Sequence, residues 1–323
     1  MVFDPVILIE SHIMGRISDI VYCSELLFMQ QRCMKSIGII GAENSHTIAI
    51  ATEINLKQHF PGFSVTHVWG ETSELAEKAS REGEIPNIVS EPTDMLGNID
   101  AVICDHRHAK YHLDSVREFV ADGVPTFVDK PFCYRSKRGR EFLEHARLSG
   151  TPVTSFSVRC HQKSFLAFVE EIKSIGDLSA GTTYGACDLD SPYGGVFFYG
   201  IHQVDMALHA FGSDVDKVSV IQNTDSHAIG HLLYPDGKII ALHFVKKEEI
   251  SGFAISAAGS DGYVHRTLVG DESPHRCGVE IFTKMIETGT EPIPHKKILD
   301  PIVVLEALER SIESGKVERV DKI

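Results

Sequence analysis

Short apolar runs alternate with helical patterns through the first half of the chain. The β-branched run Ser36–Gly41 is followed by His46–His59, where apolar residues recur at helical spacing. Three more strand patterns, each followed by a helix pattern, continue the alternation: Phe63–Trp69 and Ser73–Glu82, Ile99–Cys104 and Tyr111–Asp122, Pro125–Val128 and Lys137–Leu148. Strands separated by helices predict a parallel sheet with right-handed crossovers. The first half is therefore predicted to be an α/β fold, a Rossmann-type doubly wound parallel sheet.

The pattern changes after Pro152. A strand at Val153–Val158 and helices at Ser164–Ile175 and Ile201–Phe211 lead into runs that alternate between apolar and polar residues. The predicted strands are Lys217–Asn223, His227–Tyr234, Ile239–Val245 and Gly252–Ala258, and a last helix covers Ile302–Ser314. The pair Asp236-Gly237 between two of the strands is a hairpin signal. The second half is predicted to be an α+β domain with an open, mainly antiparallel sheet.

These patterns divide the 323 residues into three parts. We predict an N-terminal extension over residues 1–33 and a dinucleotide-binding Rossmann domain over residues 34–151. An α+β domain for substrate binding and oligomerisation covers residues 152–323, with its C-terminal helix able to pack back on the Rossmann domain. Because an uncovered apolar sheet face needs a partner, we expect a homodimer or homotetramer formed through the open sheet.

Charge and cysteine content narrow the choice of partners. The formal net charge is −14, and an acidic surface repels phosphate backbones and anionic membranes. No apolar run reaches the length of about 18 residues that a membrane-spanning helix needs. We therefore expect a small-molecule substrate and neither a nucleic-acid nor a membrane partner. The seven cysteines are scattered and form no Cys-x-x-Cys pair, which favours a reducing, cytoplasmic location.

The turn after the first strand is the first candidate binding site. A dinucleotide fingerprint, Gly-x-Gly-x-x-Gly, needs three glycines between a strand and a helix. Here the turn reads Gly41-Ala42-Glu43-Asn44-Ser45-His46, with Glu43 and His46 in the second and third glycine positions. The strand–turn–helix context and the potential caps Asn44 and Ser45 still fit a nucleotide site. A Glu43 carboxylate would repel a pyrophosphate unless it turns away.

Two further motifs offer acid–base groups. Asp129-Lys130-Pro131 follows a strand whose carboxyl end should line the ligand crevice of a doubly wound sheet. His202 lies near the start of a helix in the second domain, and imidazole suits proton transfer at neutral pH. Taken singly, Lys130 is as well explained by a surface lysine and His202 by a structural histidine.

The order of these motifs resembles the Gfo/Idh/MocA family of NAD(P)-dependent oxidoreductases. The resemblance extends to His112, 18 residues before Lys130, and to the C-terminal segment Ala307–Val317. It implies that Lys130 and His202 are catalytic and contact the substrate, a sugar-like or other small hydroxy-compound. Tyr199, next to the position where the family often carries an acid, is our candidate for a further substrate contact through its hydroxyl. Hydride would pass between the substrate and the nicotinamide while Lys130 and His202 handle the hydroxyl proton.

The resemblance also implies the cofactor site. The cofactor is NAD or NADP, with NAD favoured because Glu71 follows the second strand and no basic cluster occupies residues 69–73. From the motifs and the loop after the third strand together, the residues we predict for this site are Gly41, Asn44, Ser45, His46, Glu71, Asp105, His106, Asp129 and Lys130.

Two departures from the family pattern leave alternatives open. Phe198 stands where the family often carries an acid, four residues before the active-site histidine. The loop after the third strand is longer than usual and brings Asp105, His106 and His108 toward the crevice. These side chains could be solvated, bind an anionic substrate together with Arg107, or, near His46 and His202, hold a divalent metal. We predict a dehydrogenase without a metal; the alternatives are a non-catalytic ligand- or nucleotide-sensing protein on the same fold and a metal-assisted lyase or hydrolase.

Overall fold

The computed structural model describes residues 34–224 and 227–323, so the predicted extension over residues 1–33 lies outside the described residues. Six parallel strands form the first sheet, in the order β3-β2-β1-β4-β5-β6. They are β1 (Lys35–Ile40), β2 (Phe63–Trp69), β3 (Asn87–Ile88), β4 (Ala101–Cys104), β5 (Thr126–Val128) and β6 (Val153–Thr154). This strand order is that of a dinucleotide-binding sheet, and the predicted Rossmann architecture is confirmed.

Seven strands form the second sheet, in the order β12-β11-β7-β10-β9-β8-β13. They are β7 (Leu178–Ala186), β8 (Lys217–Thr224), β9 (His227–Leu233), β10 (Ile239–Val245), β11 (Phe253–Gly259), β12 (Gly262–Leu268) and β13 (Glu318–Arg319). Strand β10 pairs in parallel with β7, and the other pairs are antiparallel. The predicted mainly antiparallel sheet is confirmed.

Eight α-helices cover the sheets in the described part of the chain: α1 (Ser45–Ala51), α2 (Ser73–Gly83), α3 (His112–Ala121), α4 (Ser136–Ser149), α5 (Lys163–Glu171), α6 (Val196–Phe211), α7 (Arg276–Thr288) and α8 (His295–Ser314). None of them is both long enough and apolar enough to cross a membrane. The five described cysteines are free thiols.

Helix α6 ties the second sheet to the rest of the protein. It packs against β7 on one side and against α8 on the other, and most of its residues are buried, as expected of a helix that is apolar on all sides. Close packing fixes its position, since a Cβ on Gly181 of β7 would come within 2.3 Å of the Phe211 ring. This packing sets where His202 lies.

Helix α7 comes late in the chain but packs on the Rossmann sheet. Val279, Phe282, Met285 and Ile286 share a hydrophobic core with the β1 residues Ile37 and Ile39. Helix α8 contacts both α4 of the Rossmann half and α6 of the second half. The two halves therefore share side-chain cores.

Several elements differ from the sequence-based expectation. The predicted helix His46–His59 is α1 followed by a π-helical turn, Thr52–Leu56. Helix α6 begins at Val196 rather than Ile201, because the glycines with positive φ are Gly194 and Gly195, whereas Gly200 lies within the helix. Helix α8 begins at His295 and continues through Pro301, which the sequence pattern placed before its start. Strands β7 and β12 and helix α7 were not predicted.

Candidate functional site

A cleft of about 530 Å³ lies between the carboxyl end of the Rossmann sheet and the start of α6. Six of the residues proposed from the sequence line it: Asn44, Ser45, His46, Lys130, Tyr199 and His202. Residues from the two halves of the chain meet there, as expected at the ligand crevice of a doubly wound sheet. The other proposed residues surround the glycine turn or lie beneath it.

The turn after β1 requires its single glycine. Gly41 has a φ of +110°, and a Cβ there would lie 2.8 Å from the Asp105 carbonyl carbon. Asn44 then caps α1, with its side-chain oxygen accepting a hydrogen bond from the His46 N–H at 3.4 Å. The turn is therefore held tightly against the end of β4 even though the other two glycines are missing.

Glu71 binds the backbone of this turn. One carboxylate oxygen accepts hydrogen bonds from the N–H groups of Ala42 at 2.8 Å and Glu43 at 2.9 Å. The other lies 2.9 Å from His106 Nδ1. Burial alone would raise the pKa of Glu71, but the hydrogen bonds from His106 and the two amides lower it to about 2. A fixed negative charge therefore lies next to the end of β2 at neutral pH.

Glu43 does not extend over the turn. Its carboxylate contacts the Tyr193 hydroxyl and lies 3.7 Å from Arg107 Nη1. The Arg107 guanidinium stacks on the Tyr193 ring at 4.2 Å. The repulsion of a pyrophosphate that the sequence suggested is thus reduced, because the carboxylate is directed toward Tyr193 of the second half and its charge is paired with Arg107 of the first.

Two buried carboxylates, Asp105 and Asp129, lie beneath the turn. The Asn44 side-chain amide donates to both, at 2.8 Å and 3.2 Å. Burial and the neighbouring Asp129 charge raise the pKa of Asp105 well above its usual value. Burial would also raise the pKa of Asp129, but Lys130 and His46 hold it well below its usual range.

Thr47 shows how a proton on Asp105 would be accommodated. Its hydroxyl lies 2.7 Å from the Gly41 carbonyl oxygen and 2.7 Å from Asp105 Oδ2. A hydroxyl has one proton to donate. When Thr47 donates it to Gly41, a protonated Asp105 can donate to the Thr47 oxygen, in agreement with the raised pKa of Asp105.

Lys130 extends from the end of β5 into the cleft. Its ammonium lies 3.2 Å from Asp129 Oδ2, and its side chain is 11% exposed. His112, whose ring nitrogens lie 3.0 Å from the Pro131 carbonyl oxygen and 2.8 Å from that of His106, connects this segment to the β4 loop. Asp129 and His112 thus fix the position from which Lys130 reaches the cleft.

His202 enters the cleft from α6. Its Nδ1 lies 2.9 Å from the Ser157 hydroxyl, and Nε2 has no hydrogen-bond partner among the described residues. Burial lowers the pKa of His202 well below its usual value, and the charges of Lys130 and Arg159 lower it further. The imidazole is therefore neutral at pH 7, and in the tautomer whose Nδ1–H donates to the Ser157 hydroxyl it can accept a proton through Nε2.

Tyr199 and Phe198 form the wall beside His202. The Tyr199 ring lies 6.0 Å from the His202 ring, and its hydroxyl accepts a hydrogen bond from Lys247 at 2.7 Å. The Phe198 ring packs on Tyr193 at 4.8 Å and on Tyr199 at 4.7 Å. Phe198 thus makes this part of the cleft apolar.

Of the residues of the metal hypothesis, Asp105 and His46 come together in the structure, whereas His106 and His108 are held elsewhere. Both ring nitrogens of His106 are engaged, by Glu71 and by the Ser115 hydroxyl, and the His108 ring packs on Tyr134. Asp105 instead lies with His46 and Asp129, one ligand atom of each falling within 4.8 Å of the others. Their carboxylates already accept hydrogen bonds from Asn44, and Lys130 supplies the nearby positive charge.

Sequence reasoning missed four polar residues that line the cleft: Arg159, Gln162, Lys247 and His275. A signal existed for Arg159, because it follows the last parallel strand and the carboxyl ends of such strands face the crevice. Lys247 follows β10 of the second, mainly antiparallel sheet, where this rule does not apply. His275 lies at the start of α7, whose apolar residues at helical spacing were the signal that was missed.

The overall architecture is similar to that of solved structures described as inositol dehydrogenases. A putative myo-inositol dehydrogenase from Sinorhizobium meliloti is similar with a TM-score of 0.74 and 18% identity, over 89% of this chain and 100% of that chain. A scyllo-inositol dehydrogenase from Lactobacillus casei with bound NAD(H) and scyllo-inositol gives 0.77 and 16%, over 89% and 99%. A myo-inositol dehydrogenase from Lactobacillus casei in complex with NAD(H) and myo-inositol gives 0.77 and 13%, over 90% and 98%. At such identities the similarity establishes the fold.

The sequence comparison bears on the first half of the chain. No protein with a curated description matches this sequence. Residues 35–156 match the model of a family described as "Oxidoreductase family, NAD-binding Rossmann fold". The resemblance to the Gfo/Idh/MocA oxidoreductases is therefore confirmed over the Rossmann half of the chain.

Proposed function

We propose that this protein is an NAD-dependent dehydrogenase that oxidises a secondary alcohol of a sugar-like or other small hydroxy-compound. The observation that carries the proposal is the convergence of a neutral histidine, His202, and a lysine, Lys130, on one cleft beside the turn of an NAD-binding Rossmann fold. The inositol dehydrogenases of the same fold bind NAD(H) together with a cyclic polyol, which supports a substrate of this class.

The residues around the turn fit a nicotinamide dinucleotide. The backbone N–H groups of Asn44 and Ser45 have no partner among the described residues, and both residues line the cleft. Unpaired N–H groups at the start of a helix attract a phosphate group. Asn44, Ser45 and Gly41 would therefore hold the pyrophosphate, Glu71 and His106 would lie beside the adenosine ribose, and His46, Asp105 and Asp129 would support the turn from beneath.

The chain's own residues supply the acid–base chemistry. The bound cofactor would accept a hydride from the substrate carbon. His202 Nε2 would take the hydroxyl proton as the C=O bond forms, and the Lys130 ammonium would donate a hydrogen bond to the same oxygen. Asp129 and Ser157 act through these two groups, because they fix the Lys130 ammonium and the His202 ring. Tyr199 would contact the bound substrate beside His202.

We expect NADH to bind about tenfold or more tightly than NADPH, a difference of about 1.4 kcal/mol. The reason is the Glu71 carboxylate, which would face the 2′-phosphate of NADPH with a like charge. A fluorescence titration of each cofactor measures the two dissociation constants. Glu71→Gln keeps the shape of the side chain and removes its charge, so it should reduce the ratio of the NADPH dissociation constant to that of NADH.

Glu74→Gln is the matched control, because Glu74 is an exposed acid in the first turn of α2. It should leave the ratio unchanged. Tighter binding of NADPH by the wild type would contradict the assignment of Glu71, and failure of both cofactors to bind at millimolar concentration would rule out the dehydrogenase.

His202→Gln is expected to lower kcat by about two to four orders of magnitude, the usual span for a general acid–base group. The pH dependence of kcat/KM gives a test that is specific to His202. Because the pKa of His202 lies well below its usual value of 6.5, the base stays deprotonated as the pH falls through 6.5. The kcat/KM for alcohol oxidation should therefore remain flat from pH 8 to about 6.

Lys130→Met should cause a loss of similar size, whereas Lys137→Met, at an exposed position of α4, should cause none. NADH affinity measures whether each variant still folds. Unchanged turnover in both His202→Gln and Lys130→Met would place the chemistry elsewhere.

We also propose that the protein works as a homodimer or homotetramer through the second sheet. Apolar side chains point away from α6 and α8 on the outer face of that sheet, among them Ile221, which is 64% exposed, and Tyr184, which stacks on His243 at 4.3 Å. Covering this face would remove apolar surface from water. Sedimentation velocity should find a dimer or larger species, and replacement of Tyr184 by Asp should shift it toward the monomer. A wild-type monomer at micromolar concentration would exclude this surface as an interface.

The proposed compartment is the cytoplasm. Cys104, Cys133, Cys160 and Cys187 are buried free thiols, which a reducing environment preserves. Recovery of the native protein with these thiols in disulfides would contradict this location.

A further inference from the structure

We propose that the substrate carries an anionic oxygen group, a carboxylate or a phosphate, which Arg159 and Lys247 bind beside His202. The inference rests on the proposed function, since it names the substrate class of the same cleft. In that cleft, cationic side chains outnumber carboxylates.

The described part of the cleft wall contains four cationic side chains and one carboxylate. The cations are Arg107, Lys130, Arg159 and Lys247, and the carboxylate is Glu43. Glu43 pairs with Arg107 at 3.7 Å, and Lys130 lies 3.2 Å from Asp129 beneath the wall. The whole chain has a net charge of −14, so two cations without an acidic partner are unexpected at this place.

Arg159 is the first of these two cations. It lies in the 3-10 turn Val158–His161, directly after Ser157, whose hydroxyl holds His202. Its guanidinium stacks over the Phe253 ring at 4.1 Å and makes no hydrogen bond or ion pair with a side chain in the described ranges. Stacking leaves the N–H edge of a guanidinium free to donate, and that edge matches the two oxygens of a carboxylate or a phosphate.

Lys247 is the second. It follows β10 and donates to the Tyr199 hydroxyl at 2.7 Å, and no described carboxylate lies within ion-pair distance of it. Tyr199 therefore links Lys247 to the neighbourhood of His202, whose ring lies 6.0 Å from the Tyr199 ring. Its neighbour Lys246 lies 3.7 Å from Asp190, so the two adjacent lysines differ in whether they have an acidic partner.

The burial of Arg159 favours a role in ligand binding over that of a charge that merely faces solvent. Burial lowers the pKa of the Arg159 guanidinium, which means that its charge is poorly solvated where it lies. An arginine stays ionised in a protein, so the protein tolerates the cost of removing this charge from water without a described carboxylate as its partner. A bound anion would supply the missing counter-charge.

Matched sugar derivatives test the inference. D-glucose, D-glucuronate and D-glucose 6-phosphate share one ring and differ at one position, and D-galactose and D-galacturonate form a second pair. The rate of NADH formation gives kcat/KM for each compound, and calorimetric titration of the same compounds into the NADH complex gives binding without turnover. We expect an acidic member to be favoured over its neutral partner by about tenfold or more, the contribution of a charge-assisted hydrogen bond.

The variants identify the residues. Arg159→Gln and Lys247→Gln should each reduce the preference for the acidic member by about tenfold through KM, while Lys246→Gln should leave it unchanged. Arg159→Lys should retain part of the preference, because it keeps the charge. The uronate and the phosphate ester distinguish a carboxylate substrate from a phosphorylated one.

The outcomes separate the two proposals. Equal or better use and binding of the neutral members overturns the anionic subsite, and so does a preference that survives Arg159→Gln and Lys247→Gln. A third outcome is that an acidic member binds more tightly than its neutral partner but is oxidised neither by the wild type nor by any variant. That outcome supports the subsite and overturns the dehydrogenase.

Discussion

Two carboxylates buried side by side, Asp105 and Asp129, constrain much of the ligand-facing edge of the Rossmann sheet. Two negative charges cannot both be buried there at low cost, so the surroundings differentiate them. Burial and the Asp129 charge raise the pKa of Asp105, and Lys130 and His46 stabilise the charge of Asp129. The same contacts hold the Gly41 turn, the start of α1 and the Lys130 side chain in one arrangement.

This arrangement explains how the turn works with one glycine instead of three. Gly41 provides the positive φ and the close approach to β4. Asn44 connects the turn to both carboxylates, and Glu71 binds the turn's amides from the side of β2. In the fingerprint sequence, close packing at the glycines positions this turn. Here side-chain hydrogen bonds position it instead.

The second half of the chain completes the site with opposite electrostatics. Beneath the turn the buried groups are acidic, whereas Arg159 and Lys247 make the far wall cationic. His202 lies between these regions, and its neutral state follows from its burial and from the cations around it. A neutral histidine beside a cationic wall suits the proposed oxidation of an alcohol that carries an acidic group.

The sequence predicts the two folds well, because strand and helix periodicity is local and the elements are strongly patterned. It also places Lys130 and His202 near a common cleft, since Lys130 follows a parallel strand. It also contains a local signal for α7 that we missed, because Val279, Phe282 and Ile286 recur at helical spacing and Gly289 follows as a C-cap. The orientation of Glu43 toward Tyr193 could not be predicted, because it depends on a contact between the two halves.

The most direct test of this account is a crystal structure of the protein with NAD⁺. The account predicts that the adenosine ribose lies beside Glu71, the pyrophosphate at the N–H groups of Asn44 and Ser45, and the nicotinamide ring in the cleft between Lys130 and His202. A nicotinamide ring found outside that cleft, or a dinucleotide bound away from the Gly41 turn, would contradict it.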